Sequence, residues 1–320
     1  MQAFPLWLIW ALAGHLANGV AFVIDKTLLR QSFKHPATYA VIIGLMGALA
    51  AAVLPFGVRV PAAPGLFWIV VSGSTFILSL WVFFAALARG EASRVVPIIG
   101  SLIPILTLIG TSIFLGERLN QSQFIGFGLL VAATVMLSGG SAKSRLTVQT
   151  IWISILAAVI FAASSVTAKL AYMHEGFITT FAISRFSGVI AALFILALDG
   201  GSFKEVSRIF FPQAVKKDAR RASGPSAAPR HSRAPMAVLL VLAAQSLGAL
   251  GFVGVQYATS LGSAALVNAL QAVQYVLLVG VAFALKKRAP DLLGEDLTAA
   301  TVARKSIAIA VAGIGMWLVV

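Results

Sequence analysis

Seven polar side chains, His15, Asn18, Arg185, Asn268, Gln271, Gln274 and Tyr275, interrupt stretches that are otherwise apolar for about twenty residues. In a hydrocarbon setting such groups cost several kcal/mol unless paired, so each is a candidate for contact with a solute. Asn268, Gln271, Gln274 and Tyr275 recur at helical spacing and share roughly one third of a helix's circumference. Amides and a phenol both donate and accept hydrogen bonds, which suits a neutral or zwitterionic solute better than a bare ion. The same groups also serve as links between helices. His15 shares a face with Asn18, Phe22 and Asp25. At 1.5 Å per residue, His15 and Asn18 stand about 15 and 10 Å from the end of their segment, close to the middle of a bilayer. Two roles fit His15: a proton-sensitive solute contact, or a neutral imidazole bridging two helices. Arg185 keeps its charge. It has three options: binding a solute carboxylate or phosphate, snorkelling to the interface, or pairing with Glu175 or a helix C-terminus. Ser79, Trp81, Gln245, Gln256 and Tyr257 form a second tier.

The residues from Val95 to Leu115 contain no charge and are long enough to cross a bilayer, yet they include two prolines. Arg94, Pro97, Ser101, Pro104, Leu108 and Thr111 fall on one helical face. Proline in a spanning helix frees a carbonyl, which is tolerable only beside protein or a cavity. Pro97, Ser101 and Pro104 are therefore expected to shape a cavity.

The elements that must hold these groups follow from composition. With 59% hydrophobic and 11% charged residues, the chain departs far from the globular mix, in which about 25% are charged. Apolar runs of about twenty residues point to an all-α polytopic membrane protein and exclude a β-barrel, whose strands alternate over about ten. Ten segments can be marked: 5–24, 37–57, 65–87, 94–115, 121–139, 150–172, 177–198, 236–258, 263–285 and 302–320. The first is read as a retained helix, not a signal peptide. The net charge of +14 would suggest nucleic acid in a soluble domain. Here the basic residues concentrate in alternate connections, twenty in the odd-numbered against three in the even-numbered. That bias places the odd-numbered loops in the cytoplasm and both termini outside. It makes anionic lipid headgroups, not nucleic acid, the partner of the basic loops. In the long connection 199–235, Phe203, Val206 and Phe210 oppose Lys204 and Arg208, which predicts a short surface helix. The Arg-, Ser- and Pro-rich remainder is expected to be disordered.

The absence of cysteine removes disulfides and thiolate catalysis. No HExxH or GxSG spacing occurs, so no catalytic residue, metal or cofactor is expected and the chain does not read as an enzyme. Residues 1–140 hold five segments and 150–320 hold five more, joined by a connection at 141–149. The two sets echo each other: Gly90 aligns with Gly262, Ala92 with Ala264, and FVIDKTLL at 22–29 with SVTAKLAY at 165–172. Because five is odd, such units enter a membrane in opposite directions, giving an inverted repeat. The runs ALARGEAS and VVPIIGSLIPILTLIGTSIFLGERL resemble the EamA type of the drug/metabolite transporter superfamily. The resemblance covers nearly the whole chain except 199–235. It implies ten transmembrane helices in two inverted five-helix repeats around a central cavity. It also implies a secondary transporter of a small metabolite by export or exchange through alternating access; it does not identify the substrate, and an amino acid or similar polar or amphipathic solute and a bacterial inner membrane are expected. The ninth segment departs from the pattern, ending FALKKRAP where the fourth ends FLGERL. A receptor, scaffold or channel is the competing class, and pairing of two copies as a homodimer is compatible with the sequence.

Overall fold

A computed structural model describes residues 5–28, 35–138, 146–210, 234–285 and 299–320. Each marked segment falls on helix. The first is α1 (Leu6–Leu28); the second begins as α2 (Pro36–Met46); α3 (Ala63–Leu87), α4 (Ala92–Leu115) and α5 (Gln121–Ser138) follow. After them come α6 (Val148–His174), α7 (Phe177–Leu198), the short α8 (Gly200–Phe210) and α9 (Ala234–Leu261). The chain closes with α10 (Ala264–Ala269), α11 (Gln271–Leu285) and α12 (Ala299–Leu318). Among the described residues, eight helical stretches are long and apolar enough to cross a membrane. Large apolar side chains such as Trp152, Ile190 and Trp317 are exposed on the outside. Lipid is the natural solvent of such a surface. The chain is a polytopic helical membrane protein.

Two segments are not the single helices that the apolar runs predict. After Met46 the chain tightens into a 3-10 helix, Gly47–Phe56, which contains Pro55. At about 2.0 Å rise per residue this stretch reaches further than α-helix would. The ninth segment breaks at Leu270, between α10 and α11.

Packing crosses the halves of the chain. The first segment lies against the eighth (α1 on α9), and the sixth against the third (α6 on α3). The fourth likewise meets the sixth, and α1 meets α11. The second pairs with the seventh and the fifth with the tenth. The cores obey the same mixing. Leu8, Leu130, Leu266, Leu270 and Val279 bury together from α1, α5, α10 and α11. Val41, Ile77, Ile195 and Val206 join α2, α3, α7 and α8. Many buried or half-buried hydroxyls, including those of Thr75, Ser79, Ser101, Thr107, Ser154 and Ser184, bond carbonyls three or four residues back in their own helix. This is the usual way a spanning helix satisfies serine and threonine.

The short α8 occupies the place expected of a surface helix, but its apolar face is divided. Val206 is buried against the bundle while Phe203 is exposed. Glu205 explains the docking: its Oε2 accepts from Thr38 Oγ1 at 2.6 Å and from the His35 amide at 3.2 Å. At the head of α8, Asp199 accepts from the Gly201 amide and the Ser202 hydroxyl. That hydroxyl bond chiefly holds the Asp199 carboxyl below its ordinary range. The segment expected to be disordered lies, for residues 211–233, outside the described residues.

The end of α9 is fastened by a charged cap. Lys169 Nζ, from α6, donates to the carbonyls of Gly262 at 2.6 Å, Thr259 at 3.1 Å and Ser260 at 3.4 Å. An ammonium at a helix C-terminus satisfies orphan carbonyls and complements the helix dipole. Glu117, just beyond the end of α4, interacts with Lys169 electrostatically as an opposite charge. Lys169→Met is expected to destabilise the protein by about 2 kcal/mol, read as a fall of several degrees in unfolding temperature in detergent. An unchanged temperature would show that water replaces the cap.

Candidate functional site

Helices α1, α3, α4, α6, α9, α10 and α11 enclose a cavity of about 330 Å³. Six of the seven leading polar residues line it: His15 and Asn18 from α1, Asn268 from α10, and Gln271, Gln274 and Tyr275 from α11. Gln256 of α9 and the adjacent Ser164 and Ser165 of α6 join them. Four phenylalanines, Phe76, Phe83, Phe161 and Phe252, line the cavity as well, with aliphatic side chains such as Leu80, Ile99 and Val255. Among the described residues no charged side chain lines the cavity.

The break in the ninth segment organises the polar side. In an unbroken helix the carbonyl of Val267 would accept from the amide of Gln271, four residues on. Here His15 Nε2 lies 2.9 Å from that carbonyl. A carbonyl only accepts, so Nε2 carries the proton, and the neutral ring presents Nδ1 as an acceptor. Nδ1 is buried and has no partner. A side chain inserted into the backbone ladder is one of the recognised causes of a helix break. The break sets Asn268 on one side and Gln271 on the other, both turned to the same space.

Asn268 is a junction of three helices. Its Nδ2 donates to Thr107 Oγ1 of α4 at 3.0 Å and to Ser165 Oγ of α6 at 3.1 Å. With both protons of the amide committed, its carbonyl oxygen is the group left for a solute. Gln271 Nε2 donates to Tyr275 Oη at 3.3 Å, so the phenol retains its own proton to give. Gly100 makes room for that phenol: a Cβ there would lie 3.1 Å from Tyr275 Oη. Beside the cavity, Ser72 and Ser164 exchange hydroxyl-to-carbonyl bonds at 3.2 and 3.0 Å, tying α3 to α6.

Other expected site residues lie elsewhere. The lining face of α4 is Val96, Ile99, Gly100 and Ile103. Pro97 and Pro104 are buried on the neighbouring face, and Ser101 bonds back to the carbonyl of Pro97 at 2.7 Å. The polar spacing that singled out that face marks protein contacts. Ser79 bonds the carbonyl of Phe76, and Trp81 packs with the α2–α7 core. Tyr257 meets Trp10 and Phe177, with ring centroids at 5.3 and 4.9 Å. Gln245 falls on α9, but its side chain lies outside the described residues. Arg185 does not line the cavity. Its Cζ stands 4.5 Å from the Phe252 ring, 4.9 Å from Phe76 and 5.9 Å from Phe181. The pairing with Glu175 weighed from sequence is not formed, since Glu175 Oε1 instead accepts from the Ala62 amide at 2.9 Å, where α3 begins.

Comparison with known proteins adds a family to this geometry. Residues 5–139 match the model of the EamA-like transporter family. An uncharacterized transporter from the cobO 3′ region of Sinorhizobium sp. is 28% identical over 136 residues, 41% of this chain and 96% of its own length. A solved crystal structure covers 98% of the chain, with 96% of its own length matched, at a TM-score of 0.62 and 20% identity. At that identity the likeness speaks to fold alone. Together with the apolar spans, these matches support a membrane transporter in general. The part of the cavity that sequence reasoning missed is aromatic. Phe76 and Phe83 lie seven residues apart, two helical turns, yet an apolar spanning helix offers no mark that separates cavity phenylalanines from lipid-facing ones.

Proposed function

We propose that the chain is a secondary transporter that moves a small polar or amphipathic metabolite by alternating access, as an exporter or exchanger. The observation that carries this reading is a cavity at a broken helix whose described lining is uncharged and combines five amides with four phenylalanines. Broken spanning helices and midplane sites are the usual construction of secondary transporters. The helix pairing supports a division into two five-helix repeats, 1–140 and 150–320, joined at 141–149. The first helix of each set meets the third of the other, as an exchange symmetry requires. Gly90 and Gly262 each stand in a short link, and the residues after them, Glu91 and Ser263, are the N-caps of α4 and α10. The basic loops support an inner-membrane orientation with both termini outside.

Metabolites accumulating outside cells that overproduce the protein, compared with cells lacking it, identify the solute. Counterflow of that solute in proteoliposomes then tests the site. Gln271→Ala and Asn268→Ala are expected to lower the rate at least tenfold, about 1.4 kcal/mol, while each protein still elutes as a folded species. Wild-type rates in both variants would remove the cavity from the transport path.

A further inference from the structure

We propose that the cavity selects an uncharged planar heteroaromatic solute, and that Arg185, standing behind the aromatic wall, excludes cations from it. The inference rests on the cavity being the solute site and narrows what that site takes.

Four observations converge. Among the described residues the lining carries no carboxylate, so a cationic or zwitterionic solute would bring an ammonium group to a place where none of them pairs it. The described lining also carries no cationic donor, so an anion would lose its hydration without a direct charge-assisted bond from it. What remains is a set of neutral partners: the His15 Nδ1 acceptor, the Asn268 carbonyl oxygen, the Tyr275 hydroxyl, and the amides of Asn18, Gln256 and Gln274. A flat ring bearing both amide-like donors and acceptors meets these at its edge. Its faces stack on Phe76, Phe83, Phe161 and Phe252, where offset or edge-to-face contacts are favourable.

Arg185 supplies the selection by charge. Phe76 and Phe252 both line the cavity and both hold the guanidinium on their rings, whereas Arg185 itself does not reach the cavity. Its Nε is buried without a hydrogen-bond partner, and no ion pair to it is found among the described residues. The rings therefore stand between the solute and a positive charge that has no carboxylate partner among the described residues. A solute stacked about 3.5 Å beyond such a ring lies about 8 Å from Cζ. At an effective dielectric of about 20, repulsion at that distance corresponds to roughly thirtyfold weaker binding of a monocation than of its neutral isostere. A ring already engaged by a cation is also a poorer partner for a second one.

The test uses three bicyclic probes that differ in charge and little in shape: quinoline-3-carboxamide, its N-methylquinolinium cation and quinoline-3-carboxylate. Binding to the full chain in nanodiscs is measured by equilibrium dialysis near neutral pH. The carboxamide is expected to bind at least tenfold tighter than the cation; Arg185 attracts the carboxylate by about as much as it repels the cation, so the carboxylate binds more weakly than the carboxamide only by the amount that its lost hydration exceeds that attraction. Arg185→Met should reduce the discrimination against the cation to threefold or less while changing carboxamide binding little. Arg185→Lys, which keeps the charge, should retain most of it. The inference is overturned if the cation or the carboxylate binds as tightly as the carboxamide, if no probe binds, or if Arg185→Met leaves discrimination intact. Should Arg185→Met not fold, the wild-type comparison and Arg185→Lys still decide. Equal binding of all three that Gln271→Ala abolishes would leave the solute site standing without this selectivity. Carboxamide binding that is indifferent to Gln271→Ala and Asn268→Ala would instead remove the site.

Discussion

Gly73→Ala is expected to destabilise the protein by about 3 kcal/mol, at the upper end of what one added methyl costs in a packed interior. Gly73 sits on α3 where that helix crosses α7. A Cβ there would fall well inside van der Waals contact with the Ser184 carbonyl oxygen and the Ser187 hydroxyl. Neither atom belongs to a flexible tip: one is backbone, and the other bonds the Ser184 carbonyl at 2.9 Å. The crossing must open, and it is the crossing that sets Phe76 against Arg185 one residue beyond Ser184. Gly128→Ala is the control, because nothing lies within 4 Å of a Cβ built on that glycine of α5. Helix propensity alone would make the control neutral or stabilising by up to about 1 kcal/mol. Unfolding temperatures in detergent are expected to fall by about 6 °C or more for Gly73→Ala and not at all for Gly128→Ala. Equal behaviour of the two would mean that α3 and α7 separate without cost.

The two glycines also mark what the chain discloses before folding. Apolar length and the basic bias of the loops locate the helices, because both are summed over many residues and survive any detail of packing. Polar exceptions inside apolar runs were legible for a related reason. Burying Asn18, Asn268 or Gln271 costs too much to be incidental, and all three meet at the cavity. The failures have one physical root. Pro97, Ser101 and Pro104 mark a face that avoids lipid, but a face can avoid lipid by touching either protein or a cavity, and spacing does not distinguish the two. Arg185 shows the same ambiguity in charge: a buried guanidinium needs electron density, and sequence suggested carboxylates because they are its commonest partners. Three phenylalanine rings supply that density instead, and phenylalanine is too common in a membrane chain to signal it. The break at Leu270 was illegible because no proline or glycine causes it. It is held by His15, some 250 residues away in the chain.

His15 therefore yields the second large effect. His15→Leu removes the donor to Val267 and places an apolar side chain in its stead. The Val267 carbonyl is then left unsatisfied in a dry interior, at about 2 kcal/mol, or α10 and α11 rejoin to satisfy it with the amide of Gln271. Either outcome moves Asn268 relative to Gln271, so counterflow is expected to fall at least a hundredfold. His15→Gln separates the two roles open to this residue. Glutamine carries an amide N–H for Val267 and a carbonyl oxygen where Nδ1 stood, reproducing the donor and acceptor of the neutral imidazole without its titration. If the imidazole serves as a fixed hydrogen-bonding bridge, His15→Gln recovers most of the stability and at least a third of the transport rate, with an unchanged pH profile. A variant as stable as wild type but unable to transport would show that the ring must gain and lose a proton, and the bridging role would be insufficient.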